Sequence, residues 1–171
     1  TPSDQTKISA LRNIYGVIGA GQAVIFCKKR DTARQLAHTL HNHGHSCSVL
    51  SGELDITQRA EVIRNFRSGK QKVLISTNVV ARGIDVEQVT FVVNYDLPDK
   101  KDEITGKIEA DPETYLHRIG RTGRFGKTGI AVNFVANQRD QVLLKSIQQH
   151  FGKPIDSLDA TDMDEMEEKL G

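Results

Sequence analysis

The chain has no tryptophan, and aromatic residues make up only 5 % of its 171 positions. So thin a supply argues against a surface that stacks successive bases on aromatic rings. Its two cysteines, Cys27 and Cys47, are too few for a disulfide framework or a cysteine zinc site. They read as reduced, largely buried thiols of a cytosolic or nuclear protein. No apolar run approaches the roughly 18 residues of a membrane helix. No charged-then-apolar leader precedes a small-residue cleavage site, so neither membrane insertion nor secretion is expected. The phosphate-cradling pattern G-x-x-x-x-G-K-[ST] is missing. "FGKTG" (125–129) carries the letters G-K-T, but it lacks the leading glycine and follows no strand. In "YGVIGAGQAV" (15–24) the glycines come after a helix and before a strand, the reverse of a dinucleotide fingerprint. No acidic pair closes a strand where a magnesium ion would be held. A self-sufficient nucleotide-binding enzyme of Rossmann type is therefore not expected.

What the chain does contain is ordinary in amount and uneven in distribution. Hydrophobic residues make up 37 % and charged residues 26 %, enough for one domain with a full core. The net charge is +1, yet "DATDMDEMEEKLG" (159–171) holds six acidic residues and one lysine. The remainder has 22 basic and 16 acidic residues, a net of +6. A basic body suits phosphate-bearing partners. The expected organisation is a domain over 1–158 and an acidic segment of the same domain over 159–171.

Periodicity gives an alternating order. Ser3 and Asp4 can cap a helix carrying Ile8, Leu11, Tyr15 and Ile18. Then come the strand "AVIFC", a helix over "RDTARQLAHTLHNHG", the strand "SCSVL", and a helix over "DITQRAEVIRNFRSG". The strand "KVLIST" is followed by a turn at "NVVARGID" and by the strand "VTFVVNYDL". "DPETYLHRIG" starts a helix with Asp111 as cap and Pro112 in the first turn; the strand "GIAVNFV" and the helix "QRDQVLLKSIQQHF" complete the order. Short alternating strands and helices imply a mostly parallel α/β sheet covered on both faces. Ligands of such folds sit beyond the carboxyl ends of the strands, which puts "SGE" (51–53) and "TNVVARGID" (77–85) on one edge. The polar stretch "PDKKDEITGKIEADP" (98–112) reads as a mobile surface loop. Four histidines, His38, His41, His43 and His45, crowd one helix end. With no cysteine or carboxylate placed beside them they read as surface residues, and no metal site is expected.

The chemically loaded stretch is "YLHRIGRTGRFGKTG" (115–129), which has cations and glycines but no acid. On a helix, His117, Arg121 and Arg124 stand at i, i+4 and i+7 on one face, and Arg118 points elsewhere. Guanidinium donors match phosphoryl oxygens in a bidentate way. A chain with arginines for a phosphate but no loop to cradle one reads as delivering them to a nucleotide bound elsewhere. Such fingers are worth about 10³ to 10⁵ in rate.

"HRIGRTGR" (117–124) and "STNVVARGID" (76–85) resemble motifs VI and V of DEAD-box RNA helicases. "SGELDITQRAEVIRNFRSGK" (51–70) resembles their motif IVa region and "AVIFC" their motif IV. The resemblance is to the second, C-terminal RecA-like domain alone, and it implies an ATP-dependent RNA helicase completed by an N-terminal RecA-like domain. It implies arginine fingers at Arg121 and Arg124, and nucleotide contacts from Gly83 and Asp85. It further implies RNA backbone contacts from Gly52, Arg59 and Thr77, and coupling to the first domain through His117 and Arg118. ATP would come with Mg²⁺ held by the other domain, and RNA would be single-stranded and read without base preference. The sixteen residues between Pro98 and Tyr115, the "TNV" of motif V and the acidic ending resemble the branch that works in mRNA export at the nuclear pore. For that branch the resemblance implies a monomer in cytoplasm and nucleus. It also implies an activator protein that binds with inositol hexakisphosphate. The alternative reading is a non-enzymatic docking module for those two partners.

Overall fold

The computed structural model describes residues 6–13, 22–77, 89–119, 130–152 and 155. Helix α1 covers 6–13. It is followed by β1 (Gln22–Cys27), α2 (Arg30–Asn42), β2 (Cys47–Leu50), α3 (Ile56–Arg67), β3 (Val73–Thr77) and β4 (Val89–Asn94). The chain continues through β5 (Asp99–Lys101), β6 (Ile108–Ala110), α4 (Pro112–Ile119), β7 (Ile130–Asn133) and α5 (Gln138–Phe151). Five strands form one parallel sheet in the order β2-β3-β1-β4-β7. The expected parallel α/β sheet is the one observed.

β1 sits in the middle and is buried along its whole length, as its unbroken apolar run requires. Its alternate side chains feed two cores. Ala23, Ile25 and Cys27 pack with Leu11 of α1 and with Ala33, Leu36 and Leu40 of α2. Val24 and Phe26 pack on the other face with Leu50, Leu74 and Phe66 of α3. Burying one such side chain stabilises the fold by about 1.5–3 kcal/mol. Gln22 opens the strand, and its side-chain amide donates to the carbonyls of Phe66 and Gln71, tying β1 to the end of α3.

Local signals set the element ends. α3 begins at a capping box: Asp55 accepts from the Gln58 amide at 2.7 Å, and the Gln58 side chain accepts from the Asp55 amide at 2.9 Å. α2 is closed by Gly44 in the left-handed region at φ 86°. Asp111 caps α4, accepting from the Thr114 amide at 3.1 Å and the Thr114 hydroxyl at 2.8 Å.

One expectation is corrected. The 98–112 stretch is an ordered antiparallel hairpin, not a mobile loop: β5 pairs with β6, Asp99 opposite Ala110. Its turn is built by Asp102, whose carboxylate accepts from the amides of Ile104 (2.8 Å) and Thr105 (2.9 Å) while its carbonyl accepts from Gly106 (2.8 Å). Gly106 takes φ 71°, the conformation a glycine adopts without strain. The base is seated in a third apolar cluster, where Leu97 and Ala110 meet Tyr115, Leu143 and Ile147 of α4 and α5. Polarity along the stretch hid two three-residue strands with only one buried position between them. The capping expected at Ser3 and Asp4, the glycines at 16–21, the "NVVARGID" turn and the acidic segment 159–171 lie outside the described residues.

Candidate nucleic-acid interface

The carboxyl ends of β1, β2 and β3 open onto a cleft of about 590 Å³. Four cations line it: Lys28 and Lys29 just past β1, and Arg30 and Arg34 in the first turns of α2. Gly52 and Thr77 face it from the turn after β2 and from the last position of β3. Thr77 is almost fully buried, and its hydroxyl has no partner among the described residues. A buried hydroxyl is costly to leave unpaired and is matched by an oxygen-rich ligand. Hydroxyl, exposed main chain and a cluster of cations are the donors that grip a phosphodiester backbone.

Two residues expected at an RNA contact, Gly52 and Thr77, are thus brought together. The third is not. Arg59 does not line the cleft; its Nη2 donates to the Gly52 carbonyl at 3.3 Å, and its Nε is buried without a partner among the described residues. Lys28, Lys29, Arg30 and Arg34 were not anticipated. Their signal was present as "KKRDTAR" (28–34), four cations in seven residues directly after a buried strand. Helical periodicity drew attention to Ala33 and Leu36 instead.

On the other side of β1 the same edge is built differently. Arg118 of α4 is buried to 1 % exposure. Its Nη1 donates to Asn94 Oδ1 and to the Asp96 carbonyl, each at 2.9 Å. The guanidinium also lies over the Phe26 ring, 4.9 Å from its centroid. Asn94 donates in turn to Asn133 Oδ1 at 2.7 Å, and Asn133 donates to the Tyr115 hydroxyl at 3.0 Å. The two asparagines are register partners on adjacent strands. This relay pins α4, through both Tyr115 and Arg118, to the ends of β4 and β7. Burial pulls the Arg118 pKa down to about 10, opposed by the nearby Asp96. Burial pushes the Cys27 thiol up to about 12, helped by Asp96 and opposed by Arg118.

His117 is the reverse of Arg118. It is half exposed and its imidazole stands 3.8 Å from Glu113. Of the pair expected to meet another domain, His117 is the one open to such a contact, while Arg118 is engaged inside this domain. Gly83, Asp85, Arg121 and Arg124 lie outside the described residues.

Residues 6–126 match the family model described as the helicase conserved C-terminal domain. The chain is 55 % identical over 165 residues to the ATP-dependent RNA helicase DDX19A of Bos taurus, covering 96 % of this chain and 34 % of that protein. It therefore spans about a third of the length of the curated relatives it matches. Among solved structures it resembles an S. cerevisiae Dbp5 C-terminal domain bound to Gle1 and IP6, with TM-score 0.86, 40 % identity, and coverage of 98 % of this chain and 90 % of that one. It also resembles S. cerevisiae Dbp5 bound to RNA and ADP BeF3, with TM-score 0.84, 42 % identity, and coverage of 98 % of this chain and 42 % of that one.

Proposed function

Because this chain belongs to the helicase conserved C-terminal domain family, as the second RecA-like domain of the DEAD-box branch that includes Dbp5 and DDX19, we propose that it is half of an ATP-dependent RNA helicase. The observation that carries the RNA half of this reading is the cleft. It gathers Thr77, Gly52 and four cations at one sheet edge, and the buried Thr77 hydroxyl has no partner among the described residues. Single-stranded RNA lies with its phosphates along Lys28, Lys29, Arg30 and Arg34. None of these groups reads a base edge, so binding is independent of sequence.

ATP would be held between this domain and an N-terminal RecA-like domain, with Mg²⁺ on the far side. Its γ-phosphoryl hydrolysis drives the cycle. Asp85 would accept from the ribose hydroxyls, Gly83 would let the main chain come close to the nucleotide, and Arg121 and Arg124 would reach the γ-phosphate. Carboxylate for hydroxyls and guanidiniums for phosphate are the matching donor chemistry. The described residues support this. Arg118, Asn94, Asn133 and Tyr115 hold α4 in register, and His117 at its open end is available to the other domain. RNA and ATP then each favour the closed pair of domains, and hydrolysis releases it. The process served is remodelling of RNA–protein complexes in mRNA export, at the cytoplasmic face of the nuclear pore.

Similarity to a Dbp5 C-terminal domain bound to Gle1 and IP6 favours a second role for the same domain: docking an activator protein together with an inositol phosphate. The two roles are compatible. Calorimetry of this domain with the activator, with and without inositol hexakisphosphate, tests the second.

The deciding experiment is RNA-stimulated ATP hydrolysis by three samples: this domain alone, the full-length protein, and the full-length protein with Arg121→Ala and Arg124→Ala. Turnover is expected only in the second, with the double variant losing about 10³-fold or more. Hydrolysis by a clean preparation of the domain alone would overturn the split site.

A further inference from the structure

Three of the four cations in the cleft are already occupied. Lys28 Nζ meets Asp99 of the hairpin at 3.1 Å. Arg30 Nη1 meets Glu53 Oε1 at 3.0 Å, and Arg34 Nη2 meets Glu53 Oε2 at 2.7 Å. Only Lys29 has no ion pair among the described residues. Glu53 differs from the other carboxylate on Arg34. Asp31 sits three residues away on the same helix and is 90 % exposed, a local surface contact. Both carboxylates line the cleft, but Glu53 alone reaches across from another element and bridges two guanidiniums at once.

The turn that carries Glu53 is built to hold it there. The Leu54 amide donates to Ser51 at 3.3 Å, and Arg59 clamps the Gly52 carbonyl at 3.3 Å. The capping box at Asp55 fixes the next residues. A carboxylate offers guanidinium the same bidentate oxygen pair as a phosphodiester.

We infer that Glu53 is a built-in competitor for RNA phosphate: in the free cleft it takes Arg30 and Arg34, and RNA must displace it to bind. This rests on the cleft being the RNA site. It gives the cleft a moderate affinity by construction. A remodelling enzyme that must let go of its RNA in each cycle needs that, and four unopposed cations would work against it.

The test uses the full-length protein saturated with a non-hydrolysable ATP analogue and a fluorescent single-stranded uridine decamer. Glu53→Gln keeps the shape and removes the charge. It is expected to tighten binding roughly five- to tenfold, the size two half-exposed ion pairs can supply. Glu61→Gln on the exposed side of α3 controls for the change in net charge and is expected to stay within about twofold. In a background of Arg30→Ala and Arg34→Ala, which itself binds more weakly, Glu53→Gln is expected to change nothing. If the arginine variant loses affinity but Glu53→Gln fails to exceed Glu61→Gln, the RNA cleft stands and the competitor role is overturned. A weaker complex with Glu53→Gln overturns it too, by making Glu53 an organiser of the arginines. If the arginine variant binds RNA as wild type does, the cleft is not the RNA site and both readings fall. A thermal melt of each variant confirms that the exposed turn tolerates the change.

Discussion

Arg118 is the side chain that the family resemblance assigned, with His117, to coupling with another domain. Helical spacing separated it from His117, Arg121 and Arg124, and the structure puts it inside. The reason is a pair of asparagines that no periodicity rule singles out. In "VTFVVNYDL" and "GIAVNFV", Asn94 and Asn133 read as strand-end polar residues. Only the register of β4 on β7 makes them neighbours and an acceptor for a buried guanidinium. Cys27, by contrast, was legible, because an apolar run that fills a central strand must bury its thiol. A pH dependence follows. Burial raises the pKa of the folded thiol from the ordinary 9.0 to about 12. Stability from the neutral form is therefore complete below pH 9.0 and declines as pH rises toward 12. Comparing urea midpoints at pH 8 and pH 10.5 should show a larger alkaline loss for wild type than for Cys27→Ala. Equal losses would mean that the buried thiol does not titrate as its surroundings imply.

Elements with a strong period were the easiest to read. β1, α2, α3 and α5 are long enough for an apolar stripe or run to emerge, and Gly44 after α2, Asp55 before α3 and Gly69 after it stand where sequence rules put helix ends. The hairpin of β5 and β6 was invisible for the opposite reason. Its strands are three residues each and mostly exposed, and its turn is built by one aspartate rather than by a hydrophobic face. Asp102 carries a pKa held below the usual carboxylate value by the amides of Thr105 and Ile104. Asp102→Ala should therefore speed amide exchange at Ile104 and Thr105. The melting temperature of the whole domain should move by less than about 2 °C, since the turn is at the surface. A large drop in melting temperature would show that the hairpin is part of the global fold.

Across the whole molecule β1 divides the sheet edge into two workplaces. To the β2 and β3 side lie the cleft and its cations; to the β4 and β7 side lie the relay and α4. That division was partly legible, because parallel topology alone puts the loops after the strands on one edge. The cations of the cleft were not, because the residues that carry them also look like an ordinary helix start. If the cleft meets only sugar and phosphate, replacing the uridine decamer by an adenosine decamer should change affinity by no more than about twofold. In contrast, raising salt from 50 to 200 mM should weaken both alike. A strong preference for one base would require a contact that the cleft does not offer.

The hairpin also leaves and re-enters the domain at a single point, where the Asp111 amide donates to the Pro98 carbonyl at 3.1 Å. A segment closed at its neck can lengthen or shrink without shifting anything downstream. Yet Asp99, at that neck, holds Lys28 on one side and Arg139 on the other. Trimming the insertion away would leave the topology intact and set a cleft cation free. In this scaffold, the length of a dispensable-looking ornament and the grip of the domain on a polyanion are inherited together.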